Sequence, residues 1–141
     1  MPEPKLIYQT PNAGHDLNGG KEAIQTLAAF YEMIADGKEL PKMEWKIGDG
    51  ANGEATVEVS VNQKVKAIRL WTANSSNRDF RDSQWSSREL DAEPSSSHTV
   101  AEIKTPNKSY RSYLAEVELT ASDGHSYKLS TEARVTPDTI K

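Results

Sequence analysis

One histidine near the start of the sequence has the surroundings of a catalytic general base. His15 lies in the loop Pro11-Asn12-Ala13-Gly14-His15-Asp16, which follows a short apolar run at 5–9 and precedes an amphipathic segment. A histidine held between a strand and a helix can accept the proton of a serine nucleophile. Only fourteen residues precede His15. We therefore expect this role only if a nucleophile and an acid are supplied from upstream.

The order of strand, histidine loop and helix resembles the last strand–helix unit of an α/β-hydrolase, where the histidine follows the nucleophile and the acid. The simpler interpretation is that His15 is an exposed loop residue beside Asp16. The other histidines, His98 and His125, are predicted to be surface residues. Because the three are more than twenty residues apart in sequence, no metal site is predicted. Nothing in the sequence indicates a cofactor.

A second group of candidates lies in the polar stretch between residues 73 and 97. Trp85 has two arginines near it in sequence, Arg81 and Arg88. Together they could contact a ligand such as a sugar or a peptide. The alternative is that Trp85 anchors its own loop. Trp45 alternates with apolar neighbours and is predicted to lie in the core.

The composition excludes several classes of function. The chain has 141 residues, a net charge of −4, 27% charged residues and no cysteine. Disulfides and thiolate chemistry are therefore excluded, and the lack of a basic block argues against nucleic-acid binding. No apolar run approaches the length of a membrane span. The length suits one domain, or a small domain with an appendage.

An apolar period of 3.6 residues predicts one helix, from about Lys21 to Asp36. Gly37 is suited to its C-terminal cap, and Pro41 prevents its continuation. The apolar stripe predicted to be buried consists of Ile24, Leu27, Ala28, Tyr31 and Ile34, widened by Phe30 and Met33. Such a stripe needs a partner surface.

From Met43 onward the apolar period changes to two, which indicates strands. They are predicted near 43–47, 55–61, 64–72, 98–105, 113–121 and 127–135. In the last pair, the alternation places Leu119 opposite Tyr127 across a three-residue loop that ends with Gly124 in a left-handed conformation.

About seven short strands with no later helix predict a mainly β fold. We expect an antiparallel β-sandwich of the immunoglobulin or fibronectin type III kind, preceded by one strand–loop–helix unit. The missing cysteines favour the fibronectin type. The predicted domains are residues 1–40, a remnant of the last strand–helix unit of an α/β-hydrolase-like domain, and residues 41–141, the sandwich.

Five short blocks, in this order and spacing, resemble the C-terminal part of the PhoPQ-activated pathogenicity-related protein family. They are YQTPNAGHDL at 8–17, AAFY at 28–31, LPKMEW at 40–45, LWTAN at 70–74 and RDFR at 78–81. The resemblance implies an α/β-hydrolase-like protein followed by a β-sandwich, with a secreted or periplasmic location. It also implies that His15 matches the presumed catalytic histidine.

Three functions follow as hypotheses. The first is a non-enzymatic accessory or interaction β-sandwich from a protein of this kind. The second is part of a serine-hydrolase-like enzyme in which this segment supplies His15. The third is a ligand-binding module that uses Trp85. The expected partner is the missing N-terminal hydrolase-like domain or a second copy, in a possible homodimer, and neither nucleic acid nor a membrane is expected.

Overall fold

The computed structural model describes residues 6–12, 20–90, 98–121 and 123–137, so His15 lies outside the described residues. The described part contains one α-helix, α1 (Lys21–Ala35), and a short 3-10 helix at Ala51–Gly53. Its strands are β1 (Met43–Asp49), β2 (Ala55–Val61), β3 (Ala67–Ser75), β4 (Ser86–Glu89), β5 (His98–Ile103), β6 (Tyr110–Thr120), β7 (Ser126–Ser130) and β8 (Arg134–Thr136).

The strands form two antiparallel sheets whose inner faces share one core. One sheet has the order β1-β2-β5, and the other has the order β4-β3-β6-β7, with β8 also pairing β6. Several of the most deeply buried apolar residues lie on the central strands: Val57, Val59, Ile68, Val117 and Leu119. This arrangement confirms the predicted mainly β, antiparallel two-sheet fold. The finer assignment to the fibronectin type III kind stays a prediction.

The hairpin of β6 and β7 has the predicted register. Its two central apolar pairs are Leu119 with Tyr127 and Val117 with Leu129. The loop closes with a hydrogen bond of 2.8 Å from the Ala121 amide to the His125 carbonyl. Gly124 has a φ of 91°, a left-handed conformation that favours glycine. The apolar alternation therefore fixed the pairing correctly.

Two details of the larger sheet differ from the prediction. All of β4 is exposed, so no apolar alternation marked it in the sequence. The strand predicted at 127–135 is interrupted after Ser130. There the Thr131 hydroxyl accepts a hydrogen bond of 3.0 Å from the Ala115 amide, while the Thr131 amide donates to the Ala115 carbonyl at 2.9 Å. The chain then continues as β8, beside the earlier part of β6.

The helix ends as predicted. Gly37 has a φ of 65°. The Lys38 amide donates to the Met33 carbonyl at 2.8 Å, and the Gly37 amide donates to the Ile34 carbonyl at 3.2 Å. These two bonds form a Schellman cap, which satisfies the last carbonyls of the helix.

The helix packs on the sandwich through a face other than the predicted apolar stripe. The face packed on the sandwich holds Thr26, Ala29 and Met33, with Phe30 partly buried. These residues are spaced i, i+3, i+4 and i+7, and the stripe predicted from the sequence lies on the opposite side of the helix. Periodicity selected the more apolar face, whereas the less apolar face makes the contact with the core.

The outer edge of β7 is covered by two segments. One is formed by residues 6–12, called the strap below; the strand predicted at 5–9 overlaps it, but its described part makes a single bridge, between Ile7 and Ser130. Further along the same edge, the Thr26 hydroxyl contacts the backbone of Lys128. Because an open edge strand can pair with another chain, the strap and α1 protect this sheet from association.

Candidate functional site

Two of the three predicted ligand-binding residues lie together. Arg81 and Trp85 line a cavity of about 500 Å³ between the strap and the β3–β4 loop (76–85). Its apolar walls include Phe80 and Leu114, and its polar lining includes Thr10. The Trp85 side chain is half-buried. This cavity, called the Trp85 cavity below, combines aromatic surface with hydrogen-bonding groups, as small-molecule sites do.

The strap is tied to the β3–β4 loop by one side chain. The Asn12 amide nitrogen donates to the Trp85 carbonyl at 2.9 Å, and the Trp85 backbone amide donates to the Asn12 amide oxygen at 2.7 Å. Asn12 has a φ of 59°, a left-handed conformation that asparagine tolerates better than most residues. This Asn12–Trp85 clamp holds the chain three residues before His15. Because its partners are 73 residues apart, no local sequence pattern predicts it.

The β3–β4 loop is also ordered by bonds of its own. The Arg81 guanidinium bonds Asp79 through two nitrogens, and its Nε lies 2.9 Å from Asp79 Oδ1. These hydrogen bonds lower the pKa of Asp79 to about 2 and raise the pKa of Arg81. The Ser83 hydroxyl donates to the Asn74 carbonyl at 2.9 Å. The charge of Arg81 is therefore already balanced before any ligand binds.

Arg88, the third predicted residue, lies elsewhere. It is on β4 and lines a different cavity, of about 780 Å³, between β4 and β5. The floor of this cavity includes Leu70 and Ile103, and its other cations are Lys104 and Arg111. The structure thus separates Arg88 from Arg81 and Trp85, although the three are close in sequence.

A charged network that the sequence did not indicate covers the outer face of the larger sheet. Arg69 on β3 lies 2.8 Å from Glu118 and 3.5 Å from both Glu116 and Glu89. Glu116 and Glu118 are buried, with only 2% and 8% of their surface exposed. Two further basic residues join the network: Lys66 lies 3.5 Å from Glu118, and Lys128 on β7 reaches Glu22 of α1 at 2.8 Å. In sequence these residues looked like an ordinary solvated strand face.

The two buried carboxyl groups respond to their surroundings in opposite ways. Burial raises the pKa of Glu116, and nearby Lys128, Trp71 and Arg69 only partly offset it. The Trp71 indole nitrogen favours the charged carboxylate, although its geometry is not that of a hydrogen bond. Burial also opposes ionisation of Glu118, but the hydrogen bond and charge of Arg69 outweigh it, so the pKa of Glu118 is lowered.

The most unusual surface of the described chain is on α1. Four large apolar side chains are exposed along one face: Ile24 by 63%, Leu27 by 70%, Tyr31 by 76% and Ile34 by 66%. With Ala28 they form the outer stripe, as this surface is called below. Contiguous exposed apolar patches of this kind usually mark interaction sites.

The described histidines are on the surface, as expected. His98 lies 2.7 Å from Glu58, and His125 lies 2.7 Å from Asp123, whose hydrogen bond raises the pKa of His125. Within the residues that the structure describes, no three His, Asp or Glu side chains are grouped as metal ligands would be. None of the helical structure described is long and apolar enough to cross a membrane.

Comparison with known proteins assigns the chain to a family. The family model of the PhoPQ-activated pathogenicity-related proteins matches residues 1–81, which is more than half of the 141 residues. The chain therefore belongs to this family, and the resemblance found in the sequence is confirmed. The matched part includes the strap, α1 and the first three strands. No curated protein and no solved structure matches the chain.

Proposed function

We propose that this chain is a non-enzymatic accessory domain, a β-sandwich that docks on an α/β-hydrolase-like domain through the outer stripe of α1. The observation that carries this proposal is the pair of opposed apolar faces on one helix. One face, with Ala29 and Met33, joins the sandwich core, while the outer stripe is 63–76% exposed at its large residues. A helix that is apolar on both sides is suited to burial between two bodies.

The shape of the outer stripe favours a broad partner surface. At 100° per residue, its five residues span roughly 120° of the helix circumference. A helix–helix seam needs only a narrow a/d stripe, whereas an arc above about 100° is typical of a helix that packs on a domain core. Each large apolar side chain contributes roughly 1.5–3 kcal/mol when it is fully buried. Burial of four such residues would offset much of the entropic cost of bringing two domains together.

The β-sheet of an α/β-hydrolase-like domain is the occupant that fits this arc. In such a fold, helices pack by one apolar face on a central sheet. The proposal also gives a reason for the strap, which leads from the edge of β7 towards the segment that precedes α1. A secreted or periplasmic location accompanies this proposal, as the family name suggests.

A charge placed in the outer stripe tests the proposal. The measurement is the affinity of this chain for the α/β-hydrolase-like region of a longer family member, by isothermal titration calorimetry. Leu27→Lys should weaken the binding at least tenfold, because an apolar contact is lost and a charge is buried. Val100→Lys is the matched control. Val100 is also an exposed apolar residue, at 55%, but it lies on β5, away from α1, so its substitution should leave the affinity unchanged.

Light scattering after size exclusion shows whether the outer stripe binds the hydrolase-like domain or a second copy of this chain. A monomer that binds the hydrolase-like region agrees with the proposal. A dimer that dissociates in Leu27→Lys would show that the outer stripe serves self-association instead. Equal affinities for Leu27→Lys and the unchanged chain would also contradict the proposal.

A second candidate function is that this segment supplies His15 to a serine-hydrolase-like site. The Asn12–Trp85 clamp favours it, because residues of the sandwich then fix the backbone three residues before His15. Catalytic groups need such positioning to act. The nucleophile and the acid would come from the hydrolase-like domain. Asn12→Gly removes the clamp but keeps the left-handed backbone accessible, so any ester hydrolysis of the combined domains should fall in that variant.

A further inference from the structure

The Trp85 cavity has features of a ligand site that neither the family nor the docking proposal explains. Its apolar lining residues are Trp85, Phe80 and the buried Leu114. Trp85 and Phe80 are each half-buried, so both keep surface that solvent can reach. Aromatic rings that stay partly accessible beside a cavity provide flat surface for contact with a ligand.

The cavity is formed before any ligand is present. The Asn12–Trp85 clamp fixes one wall through bonds of 2.7 and 2.9 Å. The opposite wall is held by the β3–β4 loop, where the Ser83 amide donates to the Phe80 carbonyl at 3.1 Å. A site whose backbone is already in place loses little conformational entropy when it binds.

The polar part of the lining lies at the opening. The side chains of Gln84 and Asp82 are exposed there and can bond to hydroxyl groups of a ligand. Thr10 also lines the cavity, but its hydroxyl oxygen is itself buried and is therefore not offered to a ligand.

The charges of the lining argue against an anionic ligand. The charged residues of the described lining are Arg81 and Asp82. Arg81 is already paired with Asp79, so it does not offer a free positive charge. A phosphate or a carboxylate would therefore meet Asp82 without a balancing cation.

We propose that the Trp85 cavity binds a neutral pyranose unit of a carbohydrate. The C–H face of the sugar ring packs on the indole of Trp85, and Gln84 and Asp82 bond its hydroxyl groups at the opening. Carbohydrates offer both surfaces at once, an apolar ring face and a rim of hydrogen-bonding groups, which matches the two parts of this cavity.

The three tryptophans of the chain provide an internal comparison for the test. Nitrogen-15 NMR of the full chain resolves one indole N–H signal for each of Trp45, Trp71 and Trp85. The chain is titrated separately with maltotriose, cellotriose and N,N′,N″-triacetylchitotriose. At least one of these sugars should shift the Trp85 signal in a saturable way and leave the Trp45 signal in place, since Trp45 lies on β1 of the other sheet.

Variants locate the site. Trp85→Ala should abolish binding while it keeps the clamp, which uses only the backbone of Trp85. Trp85→Phe should retain weaker binding, and Gln84→Ala should weaken binding by about tenfold, the cost of one lost hydrogen bond. Arg88→Ala, in the cavity between β4 and β5, should bind normally. Absence of a saturable shift with all three sugars, or a shift of other signals that persists in a folded Trp85→Ala, would overturn the proposal.

Discussion

The hydroxyl of Thr26 on α1 lies 3.4 Å from both the amide nitrogen and the carbonyl oxygen of Lys128 on β7. In the β6–β7 ladder Lys128 lies opposite Glu118, and these two backbone groups of Lys128 point away from β6. One side chain thus stands where a further strand would pair. The contact explains how a helix with a threonine in its packed face closes the edge of a sheet.

Replacement of the Thr26 hydroxyl should lower the stability of the domain and loosen the edge of β7. Thr26→Val keeps the shape of the side chain but leaves the Lys128 amide and carbonyl without their partner. The free energy of unfolding should fall by only about 1 kcal/mol, because the lost hydrogen bonds are long. Urea unfolding measures the loss, and hydrogen exchange at the Lys128 amide should become faster. Thr26→Ser keeps the hydroxyl and is the control. Unchanged exchange at Lys128 in Thr26→Val would show that the hydroxyl does not protect this edge.

The core and the outer stripe should respond very differently to truncation. Leu119 on β6 is fully buried, so Leu119→Ala should lower the free energy of unfolding by roughly 2–5 kcal/mol through lost burial and a cavity. Leu27 is 70% exposed, and Leu27→Ala should change the free energy of unfolding by less than about 0.5 kcal/mol. Denaturant midpoints of the isolated chain check both values. Similar losses in the two variants would mean that the outer stripe is already covered.

Glu116 should make the domain less stable as the pH rises. Its folded pKa is raised above the ordinary 4.5, so its contribution to stability is fully present below pH 4.5 and is lost as the pH rises through the folded pKa. Glu116→Gln does not titrate. Its free energy of unfolding, relative to the unchanged chain, should therefore increase as the pH is raised from 4.5. Urea unfolding across this range measures the difference, and a relative stability that falls with pH would contradict the assignment.

Glu118, two residues further along β6, should show the opposite dependence. Its folded pKa is below the ordinary 4.5, so its contribution is present above pH 4.5 and is lost as the pH falls through the folded pKa. Relative to the unchanged chain, Glu118→Gln should gain stability as the pH is lowered from 4.5. The two variants therefore serve as controls for each other. Parallel pH profiles would show that the two carboxyl groups share one environment.

The isolated chain should not hydrolyse esters. His15 could act as a general base, but the nucleophile and the acid of a triad are expected upstream of it. Hydrolysis of p-nitrophenyl acetate should equal the background set by free imidazole, and His15→Ala should not change it beyond that background. A saturable activity that disappears in His15→Ala would contradict this expectation.

Much of the β-structure could be predicted because alternation in this sequence is strict. The register of Leu119 with Tyr127 follows from the requirement that both strands turn apolar residues to one face. β4 could not be predicted, because its pairing with β3 uses backbone bonds and leaves every side chain exposed. The break at Thr131 depends on a hydroxyl that bonds a strand sixteen residues away, which no local pattern reveals.

The candidate sites were harder to predict, since they depend on which chain segments meet. Proximity in sequence suggested that Arg81, Trp85 and Arg88 form one site, but Arg88 lies on β4 and lines a different cavity. Thr10 and Phe80 also line the Trp85 cavity, but a single threonine or phenylalanine does not indicate a binding site in a sequence. On α1 the periodicity correctly identified an apolar stripe. It could not show that a second, weaker stripe with Thr26 faces the core.

The position of Arg69 has a consequence for sequence divergence in this family. Arg69 bridges carboxyl groups of Glu89, Glu116 and Glu118 from the strands on both sides of it. Loss of this arginine alone would leave the buried Glu116 and Glu118 without the counter-ion that they share, with only Lys128 and Lys66 to offset their charges, which is destabilising. A substitution of Arg69 during evolution therefore requires compensating substitutions of the acidic residues that it contacts. Positions 69, 116 and 118 should covary among relatives, whereas position 89, on the exposed rim, should vary freely.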